Sequence, residues 1–178
     1  ACHDPHGSNN PLVLKKYFPS EFYKPYATEN YAMCLDCHNK DDIKDHGGRL
    51  LTNLQQLLVD NPRQHGPVAS GDCSACHNPH GYDNFRLLNQ EYPANFYSPF
   101  ELKNYALCFE CHDAAAFTEK ETDGATEFRN GKRNLHYVHV NRSVKGRTCR
   151  ACHEPHASKN DKHIVESIPF GKWNIPIK

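Results

Sequence analysis

The spacing of the cysteines constrains this chain more than any other feature. Eight of its nine cysteines form four Cys-x-x-Cys pairs, and a histidine follows each pair directly, at residues 34–38, 73–77, 108–112 and 149–153. An odd number of cysteines excludes a disulfide framework that uses every thiol. The pattern therefore indicates another use for the sulfur.

Cys-x-x-Cys-His is the attachment motif of c-type haem. Two thiols bond to the porphyrin, and the adjacent histidine becomes the proximal iron ligand. A zinc ribbon and a redox dithiol are the alternatives that use the same cysteine pair. Neither explains why a histidine follows every pair, so we predict haem c at four complete sites.

The ninth cysteine, Cys2, begins a partial copy of the motif. The stretch from Cys2 to Gly7 matches Cys76 to Gly81 in all but one residue. We expect a fifth haem at Cys2 and His3, in a chain that is a segment of a longer molecule. A haem held by one thioether at Cys2 is the alternative. The predicted haem-binding cysteines are Cys2, Cys34, Cys37, Cys73, Cys76, Cys108, Cys111, Cys149 and Cys152, and the predicted proximal ligands are His3, His38, His77, His112 and His153.

An internal repeat organises the motifs. Residues 1–38 align without a gap on residues 75–112 and share 18 identical positions, including an Asn-Tyr-Ala before the second motif of each copy. Such self-similarity indicates a duplicated unit. We predict a first two-haem module at 1–74, a second at 75–150 with the linker to the last site, and the start of a third, incomplete module at 151–178.

Eight further histidines supply candidates for the sixth position of each iron. Met33 is the only methionine, and the repeat places Leu107 at its position, so methionine ligation is not expected. We predict distal ligands at His6, His65, His80, His139 and His156, with His136, His46 and His163 as additional candidates. His80 lies three residues after His77, so we expect it to bind a neighbouring haem.

Bis-His ligation leaves no open position on the iron, which favours electron transfer over catalysis. We therefore expect an electron carrier and not an enzyme. Two alternatives remain open: a multihaem reductase with one open iron, and a subunit of a conductive filament in which a histidine is donated across an interface.

The composition leaves little aliphatic material for a core. Leu, Ile, Val and Phe make up 34 of the 178 residues, close to the level at which chains fail to pack a core. We predict a fold made mainly of loops, with short α-helices wrapped around stacked haems and little or no β-structure. Leucines between Leu50 and Leu58 predict one helix that stops before Pro62, and a capping box at Ser98 predicts another that runs into the fourth motif.

Charge and hydropathy exclude other partners. The chain has 21 Lys and Arg against 21 Asp and Glu, so it has no basic excess for nucleic acid. No apolar run approaches the ~20 residues of a transmembrane helix. Covalent haem attachment predicts a periplasmic or extracellular location. We expect other cytochromes or redox proteins, and an electron acceptor in that compartment, as partners.

The stretches His65 to Gly81 and Gly146 to Ser158 resemble the doubled Cys-x-x-Cys-His family of bacterial multihaem c-type cytochromes. This resemblance implies a secreted electron carrier of anaerobic respiration, and some related cytochromes form extracellular filaments. The pair His136 and His139 is similar to one found in small trihaem and tetrahaem cytochromes, where both histidines are distal ligands. The partial first motif departs from the family pattern.

Overall fold

The structure is a computed structural model that describes residues 2–18, 27–45, 47–81 and 83–177. Short helices and strands alternate along a chain that is otherwise loops and turns. The α-helices are α1 (Ala32–His38), α2 (Leu54–Asp60), α3 (Gly66–Ala69), α4 (Ala106–Phe109), α5 (Ala115–Thr118) and α6 (Leu135–Val140). The 3-10 helices are Pro11–Val13, Thr28–Tyr31, Cys73–Ala75, Phe85–Leu87, Leu102–Tyr105, Cys149–Ala151 and Asp161–His163.

The predicted loop-rich fold with short helices is confirmed. The leucine-rich helix is α2; Asn53 caps it by accepting a hydrogen bond from the backbone N–H of Gln56. The helix predicted at Ser98 is wrong in its start and its cap. Ser98 lies in a strand, and the helical segment begins at Leu102 as a 3-10 turn without a side-chain cap.

The expectation of little or no β-structure is corrected by short antiparallel ladders. The strands are β1 (Arg63–Gln64), β2 (Tyr97–Ser98), β3 (Arg129–Asn130), β4 (Arg133–Asn134), β5 (Gly146–Arg147), β6 (Ala157–Ser158), β7 (Ser167–Phe170) and β8 (Trp173–Pro176). They pair as β1 with β6, β2 with β5, β3 with β4 and β7 with β8. Pairing of this kind satisfies loop backbone groups that would otherwise lack partners. Except for β7 and β8, the strands in the described ranges have two residues each, and strands this short leave no alternating pattern in a sequence.

The chain divides into two compact units. The first unit comprises Ala1–Cys73, Glu154–Glu166 and Ile177–Lys178, and the second comprises Ser74–His153 and Ser167–Pro176. The predicted two-haem modules are defined by haem content, which this division does not test, so their boundaries stay a prediction.

Among the residues that the structure describes, each unit buries few apolar side chains. In the first unit the buried apolar residues are Leu14, Tyr31, Leu35, Leu58 and Ala157; in the second they are Leu88, Tyr92, Tyr105, Val140 and Ala151. Tyrosines are the largest members of both sets, because the sequence offers so few aliphatic side chains. Asn134 of the second unit is also fully buried.

Candidate haem-binding sites

Helical turns give the complete motifs a common local form. The second motif lies inside α1, and the third and fifth begin with the 3-10 turns Cys73–Ala75 and Cys149–Ala151. In the fourth and fifth motifs the histidine N–H donates to the carbonyl of the first cysteine, at 3.0 Å from His112 to Cys108 and at 2.9 Å from His153 to Cys149. Residues three apart on such a turn share one face. The two thiols of a motif therefore lie on the same side of the turn, where both can bond to one edge of a porphyrin.

The first cysteines of successive motifs meet. In the first unit the thiols of Cys34 and Cys73 are hydrogen-bonded, and in the second unit those of Cys108 and Cys149 are. The hydrogen bond, followed by burial, raises the pKa of Cys34 and of Cys108. The same bonds lower the pKa of Cys73 and of Cys149.

A buried tyrosine lies beside each thiol pair. Tyr31 is 2% exposed and Tyr105 is 0% exposed, and the two occupy equivalent positions of the repeat. Burial raises the pKa of both phenols, to about 12 for Tyr105, and the neighbouring cysteines add to the effect. The repeated Asn-Tyr-Ala marks both tyrosines in the sequence, but no haem motif includes them, so they were not predicted as part of the site.

In the second unit the tyrosines continue into a row of rings. Tyr92 packs edge-to-face on Tyr105 at 5.8 Å between ring centroids, and Tyr105 lies 6.2 Å from Phe109. Phe117 follows at 5.5 Å from Phe109 and lies 5.0 Å from His136. This row packs the helical turn of the fourth motif against α5 and α6.

A loop after the first, third and fifth motifs recurs three times with the same backbone. In each loop the residue before Pro-His accepts a hydrogen bond, through its side-chain oxygen, from the backbone N–H of the histidine. The distances are 3.0 Å for His6, 3.0 Å for His80 and 3.2 Å for His156. In each copy the backbone N–H of the residue before the proline also donates to the carbonyl of the residue nine positions later in the chain. The pairs are Asp4 with Val13 at 2.8 Å, Asn78 with Leu87 at 2.8 Å and Glu154 with His163 at 2.9 Å.

Two consecutive residues of this loop adopt left-handed backbone conformations in every copy. They are Leu12 and Val13, Arg86 and Leu87, and Lys162 and His163, with φ between 51° and 58°. Such a conformation costs a residue with a side chain about 1–2 kcal/mol. An asparagine offsets part of this cost: the side-chain amides of Asn10, Asn84 and Asn160 donate to the carbonyls of Leu14, Leu88 and Ile164.

The loop fixes two of the predicted proximal histidines. Nδ1 of His3 donates to the Leu12 carbonyl at 2.8 Å, and Nδ1 of His77 donates to the Arg86 carbonyl at 3.1 Å. A neutral imidazole that donates from Nδ1 presents an unprotonated Nε2. This is the arrangement in which a metal-ligating histidine is oriented by a backbone carbonyl. Of the other predicted proximal ligands, His38 and His153 are half-buried and His112 is exposed.

The predicted distal histidines fall into distinct environments. His6 and His80 are exposed, whereas His156 is half-buried and donates from Nδ1 to Glu154 at 2.8 Å. The backbone N–H of His65 donates to the His156 carbonyl at 3.0 Å. The rings of His65 and His163 lie 5.5 Å apart at 79°. His46 lies outside the described residues.

One buried nitrogen in this group lacks a partner. Nδ1 of His163 makes no hydrogen bond with any residue in the described ranges. A buried polar atom without a partner carries a free-energy cost unless something fills the gap. Nδ1 of His163 therefore needs a hydrogen-bond partner from outside the described residues, either a ligand or a solvent molecule.

The pair on α6 differs in its two members. His139 donates from Nδ1 to the Leu135 carbonyl at 2.7 Å and lies against Phe128. Nδ1 of His136 lies 2.9 Å from the hydroxyl oxygen of Thr126, and its ring is 6.4 Å from that of His153 with 24° between the planes. Burial, followed by the charges of His153 and His139, lowers the pKa of His136 to about 4. Nothing in the sequence marked Thr126, which lies ten residues from His136 across a β-hairpin.

This donor set fits haem c better than zinc. Nowhere in the described part of the chain do three or more His, Cys, Asp or Glu side chains come together as a metal-binding cluster. Within the residues that the structure describes, hydrogen bonds between thiols of different motifs join two cysteines at a time, while a structural zinc site needs four ligands around one ion. The free cysteines and the His3 and His77 imidazoles with Nε2 unprotonated match covalent attachment and axial ligation.

No helix within the described ranges is long and apolar enough to cross a membrane. Searches of curated proteins and of solved structures give no match. The family model for the doubled CXXCH motif matches residues 1–43, 65–117 and 141–170, which together exceed half of the chain. The predicted resemblance is confirmed: the chain belongs to the doubled CXXCH motif family and is a multihaem c-type cytochrome.

Proposed function

We propose that this cytochrome transfers electrons along a chain of closely spaced, low-potential bis-His haems in anaerobic or extracellular respiration, and that it is not an enzyme. When bound, each haem supplies an iron that takes up and releases one electron. The protein contributes the tethers, the axial ligands and the surrounding rings.

The contacts between thiols of successive motifs carry this proposal. Cys34 and Cys73 are hydrogen-bonded, as are Cys108 and Cys149. A thioether tether is short, so two macrocycles attached at neighbouring sulfurs are held with their edges close together. The chain thereby places redox groups for transfer between second and third sites and between fourth and fifth sites.

The histidines support closed coordination. The carbonyls of Leu12 and Arg86 accept from Nδ1 of His3 and His77, so that Nε2 is the unprotonated nitrogen of each ring. The histidines outside the motifs are enough in number to supply sixth ligands. An iron with both axial positions filled exchanges electrons but does not readily bind a substrate.

We place this exported cytochrome in the periplasm or at the cell exterior, where other cytochromes or redox proteins are its partners. Covalent haem attachment takes place in an oxidising compartment, which supports this location.

Haem counting and ligand binding test the proposal together. A pyridine haemochrome assay with intact mass is expected to give four or five haems per chain. The ferric protein is expected to show low-spin electron paramagnetic resonance signals, and the reduced protein to leave carbon monoxide unbound. A high-spin iron in the native protein, together with carbon monoxide binding, would instead favour a reductase.

The close spacing has its own test. Neighbouring haems produce a bisignate circular dichroism signal in the Soret region. The double substitution Cys73→Ala and Cys76→Ala removes the third haem, so it is expected to weaken this signal by more than one haem's share of absorbance. Cys2→Ala is the matched control because it leaves both thiol pairs intact. A signal that falls only in proportion to haem content contradicts the proposal.

The exposure of His6 and His80 favours a second candidate function, that of a filament subunit. An exposed histidine at a repeated loop position is suited to ligate a haem of a neighbouring copy. Sedimentation and negative-stain microscopy of the full chain test this candidate. Fibres that disappear in His6→Ala would support it, and a monomer at all concentrations would exclude it.

A further inference from the structure

The ring centroids of His136 and His153 lie at the separation expected of two imidazoles that bind one metal ion from opposite sides. Their centroids lie 6.4 Å apart, and their planes differ by 24°. Rings stacked face to face have planes about 3.5–4 Å apart, so this pair is not in direct stacking contact. Histidine nitrogens bind transition metals at about 2 Å, which places the centroids of two imidazoles on opposite sides of one ion about 6.3 Å apart.

Contacts on the other side of the ring orient His136. The Thr126 hydroxyl oxygen lies 2.9 Å from Nδ1 and also accepts from the backbone N–H of Phe128 at 3.1 Å. A hydroxyl oxygen has two acceptor positions. With Nδ1 donating to the second of these, Nε2 of His136 is unprotonated and available to a metal.

Packing restricts the ring to this orientation. Phe117 lies 5.0 Å from the His136 ring, and Phe128 lies 5.2 Å from it at a near-perpendicular angle. Phe128 thus supports both the ring of His136 and, through its backbone N–H, the hydroxyl of Thr126. Partners of this kind outside the metal's own ligands fix the tautomer and direction of a metal-ligating histidine.

We infer that His136 is the distal ligand of the iron held by the fifth motif, opposite His153, and that Thr126 is its positioning residue. This inference rests on haem binding at the fifth motif, as the proposed function does. It separates the two histidines of α6. His139 donates from Nδ1 to its own helix backbone and stacks on Phe128. Its Nε2 is therefore unprotonated and can bind a different iron.

Substitution of the ligand tests the assignment in the full holoprotein. His136→Ala is expected to add one high-spin ferric iron per chain by electron paramagnetic resonance, with haem content unchanged by intact mass. Val138→Ala on the same helix is the matched control and is expected to remain low-spin. An unchanged low-spin spectrum of His136→Ala overturns the assignment, as does a high-spin iron in the control.

Two further variants locate the iron. In a background that lacks the fifth haem, through Cys149→Ala and Cys152→Ala, His136→Ala is expected to add no high-spin signal; a signal there overturns the assignment. His136→Met, which keeps a ligand, is expected to give the near-infrared charge-transfer band of an iron–methionine bond, and its absence contradicts the inference. If mass analysis finds no haem on Cys149 and Cys152 of the native chain, the fifth site of the proposed function fails instead.

Thr126 has a separate test. Thr126→Val removes the hydroxyl at nearly constant volume and is expected to shift the low-spin signals of one haem, while Thr126→Ser restores them. Thr118→Val is the control, because the contact of the Thr118 hydroxyl among the described residues is a hydrogen bond to the carbonyl of Ala114, the N-cap of its own helix. A Thr126→Val spectrum identical to that of the native protein removes the positioning role.

Discussion

The two units handle cysteine and tyrosine alike but histidine differently. Each unit pairs the first thiols of two motifs beside a buried tyrosine. In the second unit His136 and His153 stand 6.4 Å apart in nearly parallel planes, whereas in the first His65 and His163 lie 5.5 Å apart at 79°. The latter distance is shorter than two imidazoles on opposite sides of one ion require.

The difference follows from which residues belong to the repeat. The duplicated sequence carries Tyr31 and Tyr105 and one cysteine of each hydrogen-bonded thiol pair, Cys34 and Cys108, so both units reproduce that part of the arrangement. His136 lies on α6, in a segment outside the repeat, and the buried Asn134 at the start of α6 holds it in place. Duplication therefore preserved one thiol of each pair and its neighbouring tyrosine, whereas His65 and His136 lie in segments outside the copies.

The largest expected effect concerns Gly146, the first residue of β5, whose Cα packs between the backbone at the end of α6 and the backbone of β2. A Cβ atom at this position would lie 2.2 Å from the Val140 carbonyl oxygen and 2.8 Å from that of Ser98. Both atoms are backbone, so Gly146→Ala is expected to cost about 3 kcal/mol or more in the free energy of unfolding. Denaturant titration followed by far-ultraviolet circular dichroism measures this cost.

Gly66 in the first unit is the matched control. A Cβ there meets nothing within 4 Å, and the residue opens α3. We expect Gly66→Ala to change stability by less than about 1 kcal/mol, in the stabilising direction. Equal losses from the two substitutions would contradict the close approach at Gly146.

The next prediction compares the stability contributed by the asparagine caps of α6 and α2. Asn134 accepts from the N–H of Tyr137 and donates to the carbonyls of Ala116 and Glu119, at 3.0 and 2.8 Å, in a fully buried position. Asn134→Ala leaves these groups without partners and is expected to cost about 3 kcal/mol. Asn53→Ala, at the partly exposed cap of α2, is expected to cost about 1 kcal/mol.

Thermal and denaturant unfolding of the two variants measure these costs. The same spectra that report His136 ligation add a second readout. Asn134→Ala is expected to weaken that ligation, whereas Asn53→Ala leaves it unchanged. A larger loss of stability at Asn53 than at Asn134 would reverse the comparison.

The smallest expected effect concerns the tyrosine beside the thiols. The Tyr105 hydroxyl is buried and has no hydrogen-bond partner among the residues that the structure describes. Tyr105→Phe is therefore expected to raise stability by about 1 kcal/mol. Tyr92→Phe is the control, because its hydroxyl accepts from the Arg150 N–H at 2.9 Å, and we expect it to lower stability.

The pH dependence follows from the Tyr105 pKa, which burial raises from 10.0 to about 12. The folded state holds this proton more tightly than the unfolded state does, so its contribution is complete below pH 10 and is lost as the pH rises to about 12. The stability gap between Tyr105→Phe and the native protein is expected to widen in the variant's favour over that range. A constant gap would show that the phenol titrates normally.

The motifs and their family were predictable because haem attachment requires fixed spacing. The leucine helix at α2 was predictable from its periodicity. The capping box at Ser98 failed because pairing of β2 with β5 takes that residue into a strand. Thr126 was not predictable, since a hairpin brings it to His136 and no local pattern records that contact.

The left-handed pairs were also invisible in the sequence, because Leu-Val, Arg-Leu and Lys-His share no turn signal. Their backbone carbonyls, and not their side chains, hold the imidazoles of His3 and His77. Leu12 is 78% exposed. The side chain at this position can thus change from aliphatic, as at Leu12, to cationic, as at Arg86, without disturbing the hydrogen bond between the backbone carbonyl and the histidine. The surface charge of this loop and the position of its imidazole therefore depend on different atoms, so a substitution at one left-handed residue can change the first and leave the second.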